Sequence, residues 1–379
     1  MKPIVTVSCT ILLAFASALA TAAPPTSQQR VLTIELTLGG KISGANGINA
    51  RGQITGGSDI PTGEFHAFLW QNDKIMDLGK RLGGTSSAGP INVEGQIGVV
   101  TNTGPNSSLV GFLWGKGTAT ELGTLGGDFN GINDINAHGQ IVGMSNSSSG
   151  ENHAFLWQKG SMLDLGTLGG PIQTTALRIN DHGHVVGTSG TASDEVHAFF
   201  WENDKIVDLG TLGGSYSEGS NINLGGKIVG ISQTTSGAVH AFLWQNGSMK
   251  DLGTLGGSFS VAVDINIFGL IVGAADTATG ETHAVLWFNG QMRDLGTLGG
   301  SFSSASYINA AGQIAGQSQT ASGEYHAFLW QKGRMTDLGA PGGDNSFPSG
   351  INARGEVIGT ITGAGGTVQR GVLWKVGQP

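Results

Sequence analysis

The chain has 379 residues, 66 of them Gly, and only 12% are charged, about half the usual ~25%. With 10 Pro and no G-X-Y period, this composition excludes collagen and falls short of the Gly and Pro content of a non-periodic disordered chain. A formal net charge of −8 argues against nucleic acid or an anionic membrane as partner, since either needs a basic face.

Residues 1–20 read as a secretory signal peptide. Lys2 supplies the positive start, residues 4–19 form an apolar run, and Ala18-Leu19-Ala20 is a small-x-small cleavage site. The run is shorter than the ~20 residues that a membrane span needs. The single cysteine, Cys9, lies inside this leader, so the mature chain is expected to be free of disulfides and secreted, extracellular or periplasmic. No later stretch approaches a span. Residues 21–29 form a short linker.

Residues 30–36 come next, an apolar strand (Val31, Leu32, Ile34, Leu36) followed by Thr37-Leu38-Gly39-Gly40. From there one unit recurs eight times. All eight tryptophans share a phase, at Trp70, Trp114, Trp157, Trp201, Trp244, Trp287, Trp330 and Trp374. An Ile-Asn pair keeps the same beat, from Ile48-Asn49 and Ile91-Asn92 to Ile351-Asn352. Each unit resolves into four short strands. The first ends at Ile-Asn, and an N-x-x-G turn follows. The second resembles QIVGMS, the third is HAFLW, and an Asn-Gly, Lys-Gly or Asn-Asp hairpin turn leads to the fourth, M-x-D-L-G. No window has helical periodicity with start and stop signals. Four strands in about 43 residues is the size of a propeller blade.

The last unit stops after its third strand at Trp374-Lys375-Val376-Gly377, whereas residues 30–36 are a fourth strand without the other three. The expected fold is therefore all-β: one eight-bladed β-propeller over residues 30–377, closed by the N-terminal strand. The alternative is an open β-solenoid, which has no reason to divide its unit in this way.

The HAFLW, DLGTLGG and INxxGxIxG elements resemble the HAF family of bacterial extracellular repeat proteins, over nearly the whole mature chain. Two units depart from the motif: Leu109-Val110-Gly111-Phe112-Leu113-Trp114 lacks the His, and Arg370 replaces it before Gly371-Val372-Leu373-Trp374. The resemblance implies export. It implies no reaction, cofactor or catalytic residue.

Six histidines share a phase: His66, His153, His197, His240, His283 and His326. Equivalent residues in adjacent blades stand too far apart to share one metal ion, so no metal and no cofactor is expected. The hairpin at Asn246-Gly247 predicts Phe242 opposite Asp251 and Trp244 opposite Met249. His240 and Asp251 then become diagonal neighbours able to bond between blades. The same pairing is expected of Asp77, Asp164, Asp208, Asp294 and Asp337 with their histidines. Glu35 and Arg370 take the two phases at the closure, which predicts an ion pair there. The Asn of each Ile-Asn pair reads as a turn former.

Loops after TLGG carry Phe129, Tyr216, Phe259, Phe302 and Phe347, with Ile42 and Ile172 at the like place. These aromatics read either as platforms for a glycan or peptide ligand or as wedges between blades. The near-uniform repeat favours a non-catalytic binding or scaffold module, monomeric, with a glycan or a protein as ligand, because catalysis needs unique residues. The alternative is a polysaccharide hydrolase or lyase using paired carboxylates near the channel mouth. Its nonrepeated candidates are Asp134 and Asp264, just before Ile-Asn pairs, and Asp128 and Asp344 in the loops.

Overall fold

A computed structural model describes residues 30–103, 108–171, 173–363 and 368–377. The proposed leader, the linker and Ile172 lie outside the described residues. Eight four-stranded antiparallel sheets follow one another along the chain. Blade one comprises Ser43–Ile48, Ile54–Asp59, Phe65–Gln71 and Lys74–Asp77. Blades two to seven repeat this order, with innermost strands Ser86–Ile91, Gly126–Ile135, Thr175–Ile179, Gly213–Ile222, Gly256–Ile265 and Gly299–Ile308. Blade eight has Asn345–Ile351, Val357–Thr362 and Gln369–Val376 from the C-terminus, and takes Val31–Leu36 as its fourth strand. The fold is a β-propeller, as the repeat predicts.

The hairpin register is the predicted one: Phe242 faces Asp251, Trp244 faces Met249 and Gln245 faces Ser248. Asn246 and Gly247 both have positive φ, 53° and 77°, as a type I′ hairpin turn requires. One element departs from the all-strand expectation. The link out of blade one reads DLGKRLGG where four others read DLGTLGG, and Gly79–Leu82 absorbs the extra residue as one turn of helix.

Apolar clusters cross every blade boundary they touch, which is how radially arranged sheets form a core. Val142, Ala154, Leu156 and Leu165 of blade three meet Ala176, Ile179, Phe199 and Trp201 of blade four. Buried hydroxyls pin neighbouring blades together. Ser260 Oγ accepts the Ala241 amide at 2.8 Å and donates to the Gly253 carbonyl at 2.7 Å, and Ser217 and Ser303 repeat the arrangement.

The chain ends obey the same rule. Residues Val31 to Leu36 pair in antiparallel register with Val376 to Gly371. Leu36, 1% exposed, joins Leu373 and Ile358 of blade eight to Ala45, Ile54 and Phe68 of blade one. The Gly371 amide donates to Ser43 Oγ at 2.8 Å, so blade eight lies on blade one by the contact that joins other neighbours.

Two expectations about this strand are corrected. Leu32 is one of the four apolar residues expected to cover the ring, yet it is 53% exposed although it shares a face with Ile34 and the buried Leu36, because burial on that face falls away toward the start of the strand. Glu35 and Arg370 do hold the Asp and His phases, since Glu35 faces Val372 as Asp251 faces Phe242. They form no ion pair. The Arg370 side chain instead crosses Gly342 and donates from Nη2 to the Pro341 carbonyl at 2.9 Å, while Glu35 stays exposed.

Candidate functional site

The repeated histidines and aspartates meet in all six predicted pairs, with His Nδ1 to Asp carboxylate distances of 2.7 to 3.0 Å. Five of the aspartates use their other reach to accept the amide two residues on, as Asp251 does from Gly253 at 2.7 Å. Each carboxylate thus locks a hairpin to the turn that leaves it. In five of the six pairs the carboxylate lies at the outer rim, as with Asp251 and His240, whose side chains are 42% and 20% exposed; the His66–Asp77 pair of blade one is nearly buried, at 8% and 10%. Blade two, which lacks the His, leaves Glu121 opposite Phe112 and exposed.

The aromatics sit in strands, not in loops, because the TLGG link runs straight into the next innermost strand. Tyr216, Phe259 and Phe302 are half-buried, and their backbones bridge to Val196, Val239 and Thr282 of the preceding blade. Phe302 packs edge-on against Tyr325, with ring centroids 5.7 Å apart. The Tyr216 hydroxyl donates to Glu218 at 2.9 Å; burial and then this bond push its pKa up to about 12. Phe129 and Phe347 are likewise half-buried. This is the geometry of wedges. Phe259→Ala and Phe302→Ala are each expected to cost about 1–3 kcal/mol in urea unfolding.

The asparagines do more than make turns. Asn136 Oδ1 accepts the amides of His138 and Gln140, both at 3.0 Å, which shapes the turn. Its Nδ2 reaches into the next blade and donates to the Asn180 carbonyl at 3.1 Å. The same inter-blade bond runs from Asn49 to Asn92, from Asn92 to Asn136, and on from Asn180 through Asn223, Asn266 and Asn309 to Asn352. These bonds form a belt of amides around the axis from blade one to blade eight, where Asn352 Nδ2 donates instead to Glu356 of its own blade.

Just inside this belt lies a repeat position whose chemistry changes from blade to blade. From blade one to blade eight the residue before Ile is Gly47, Pro90, Asp134, Arg178, Asn221, Asp264, Tyr307 and Gly350. Each Asn amide donates across its sheet to the residue four on, as Asn49 does to Gln53 at 3.1 Å. Antiparallel bonding alternates, so the amide of the preceding Ile points away from the sheet toward the axis.

Asp134 takes two of these inward amides, Ile135 of its own blade at 2.9 Å and Ile179 of the next at 3.0 Å. Asp264 takes Ile265 and Ile308, both at 2.8 Å. Asn221 accepts from Ile222 and donates to Asp264, both at 2.7 Å. Burial raises the pKa of both carboxyls, against the amides and the Arg178 charge, which lower it. Burial also raises that of Tyr307.

Asp128 and Asp344 do not join them. They start innermost strands on the opposite face, where Asp128 accepts from Asn146 Nδ2 at 2.8 Å and Asp344 is exposed. Among the described residues, no group of three or more His, Cys, Asp or Glu is placed to hold a metal ion.

An acid with a raised folded-state pKa stabilises the fold fully below its unfolded value near 3.8. That contribution is lost as pH rises through the folded value. Wild type is therefore expected to lose stability relative to Asp264→Asn as pH climbs above 3.8 toward neutrality. Urea unfolding of both proteins at a series of pH values reads this directly, and parallel curves contradict it.

On the face carrying the N-x-x-G turns, the axis opens into a cavity of about 320 Å³ lined by Ile48, Ile91, Asp134, Ile179, Asp181 and Ile351 among others. Sequence reading placed Asp134 and Asp264 near a channel mouth; Asp134 lines this one and Asp264 does not, and Ile351, Ile48 and Ile91, which line it on blades eight, one and two, were missed.

No family model and no curated protein matches the chain. Among solved structures it is similar to the β-propeller domain of the Trilobed protease from Pyrococcus furiosus, described as having an open velcro topology. The TM-score is 0.52 at 9% identity, covering 79% of this chain and 98% of that one. Two fainter likenesses carry no argument. One is to TolB from Acinetobacter baumannii, with a TM-score of 0.40, 11% identity, and 86% and 81% covered. The other is to the BP39L lectin from Burkholderia pseudomallei, with a TM-score of 0.40, 10% identity, and 82% and 98% covered. The likeness to the protease domain shows the fold alone: this chain is a β-propeller.

Proposed function

We propose that the protein is an exported, non-catalytic binding module of the HAF type that takes a small polar ligand at the axial mouth. One observation carries the reading: a cavity of about 320 Å³ opens at the axis, lined by the Ile-Asn turns of blades one, two, three and eight, and by Asp134 from the repeat position that differs in chemistry from blade to blade.

Asp134 and Asp264 each accept a backbone amide on both oxygens, which ties their carboxyls to the ring and supports a structural role for them.

Blocking the mouth tests the proposal. Ala50 is exposed beside the cavity, so Ala50→Trp should fill the entrance without touching the core. In a thermal-shift screen of small polar solutes and free sugars, some member should stabilise wild type and not Ala50→Trp. If every stabilising solute acts equally on both proteins, the mouth is not the site.

A further inference from the structure

The inward amides divide into two groups. Those of Ile135, Ile179, Ile222, Ile265 and Ile308 are capped by Asp134, Asn221 and Asp264. Those of Ile351, Ile48 and Ile91, on the consecutive blades eight, one and two, follow Gly350, Gly47 and Pro90, which carry no side-chain acceptor. Their register is the same: Asn352, Asn49 and Asn92 donate across their sheets at 3.0, 3.1 and 3.0 Å, which turns the preceding amide toward the axis. Among the described residues no side-chain oxygen bonds to these three amides. The three isoleucines are also half-buried, whereas the five capped ones are at most 7% exposed. All three line the cavity.

We propose that the amides of Ile351, Ile48 and Ile91 bind the carboxylate group of a small solute at the axial mouth. The protein already contains the model for this contact. Asp134 places one oxygen on the amide of its own blade and the other on the amide of the next, at 2.9 and 3.0 Å, and Asp264 does the same. A ligand carboxylate spanning Ile351 and Ile48, or Ile48 and Ile91, repeats that bridge with the third amide beside it. Converging backbone N–H groups select anionic oxygen because each adds a charge-assisted hydrogen bond. Asp134 and Asp181 also line the cavity; both Asp134 oxygens accept backbone amides, and one Asp181 oxygen accepts the Ala137 amide at 2.8 Å. Gly350, Gly47 and Pro90, which precede these isoleucines, carry no side-chain acceptor to compete for the amides. This inference rests on the binding reading above and adds the chemistry recognised.

The test is an NMR titration of the full mature chain labelled with 15N-isoleucine, using acetate, glucuronate, glucose and sodium chloride as probes. Acetate and glucuronate should shift the Ile48, Ile91 and Ile351 amide protons downfield and saturably, leaving the five capped amides in place. A stronger response to glucuronate than to acetate assigns the carboxylate to a sugar acid. Gly350→Asp supplies the cap from within, spanning Ile351 and Ile48. A Cβ at position 350 meets only isoleucine methyl and methylene groups, the nearest at 3.2 Å, and Gly350 does not have positive φ. That variant should abolish the shifts and Gly350→Ala should keep them; if Gly350→Asp does not fold, the wild-type titration decides. Equal shifts at capped and uncapped amides, or no saturation with either carboxylate, overturns the inference. A response to glucose alone also overturns it and leaves binding at the mouth standing.

Discussion

Deleting residues 30–40 is expected to destabilise the protein by at least ~5 kcal/mol, a large part of the ~5–15 kcal/mol that holds a typical domain together. Leu36 is fully buried, and Val31 and Ile34 are half-buried. Full burial of one such side chain contributes about 1.5–3 kcal/mol and half burial roughly half of that. The deletion also uncovers Trp374, Leu373 and Val372, now at most 2% exposed, and breaks a six-residue ladder. The freed edge of Gln369–Val376 would present unpaired backbone groups to another chain, so the truncated protein should associate. Glu35→Ala, by contrast, removes an exposed carboxylate with no ion-pair partner and should leave the unfolding midpoint unchanged. Urea unfolding with light scattering distinguishes the outcomes. A truncated protein that keeps its midpoint and stays monomeric would mean that the strand does not hold the ring shut.

Asn136→Ala is the second large effect, on the order of 3–5 kcal/mol. Asn136 is 4% exposed and makes four side-chain bonds: to the amides of His138 and Gln140, to Gln140 Oε1, and to the Asn180 carbonyl. Truncation strands buried polar partners on two blades, and each buried group left unsatisfied costs about 1–3 kcal/mol. The rim pair His240–Asp251 offers a contrast. Although its distance is only 2.8 Å, both partners are partly exposed, so His240→Ala should cost far less. If the two substitutions cost the same in urea unfolding, the bonds of the axial belt contribute no more to stability than a rim pair within one blade.

Local periodicity made much of this legible in the sequence. The phase of the tryptophans gave the blade count. The two-residue turn at Asn246-Gly247 gave the register that brings His240 to Asp251, since a hairpin register depends on the turn alone. The divided unit at the termini gave the pairing of Val31–Leu36 with the last strand. Features that depend on how blades lean together were not legible. Arg370 was in the right phase, but its side chain is long enough to choose Pro341, a partner in the link from another blade. Phe259 and Phe302 looked like loop residues because nothing local says that TLGG continues into a strand. The axial amides were least visible. Ile48 and Ile179 occupy the same place in the repeat, and only Asp134, 45 residues before Ile179, makes them different. Gly47, Pro90 and Gly350 gave no signal, because what matters there is an acceptor they lack.

Amide hydrogen exchange at the eight axial isoleucines tests the central claim most directly. The account predicts slow exchange, approaching the global unfolding limit, at Ile135, Ile179, Ile222, Ile265 and Ile308, where a carboxylate or amide oxygen holds each proton. It predicts markedly faster exchange at Ile48, Ile91 and Ile351, whose amides face the open mouth. Uniform protection of all eight, or protection that ignores the division between capped and uncapped blades, would contradict it.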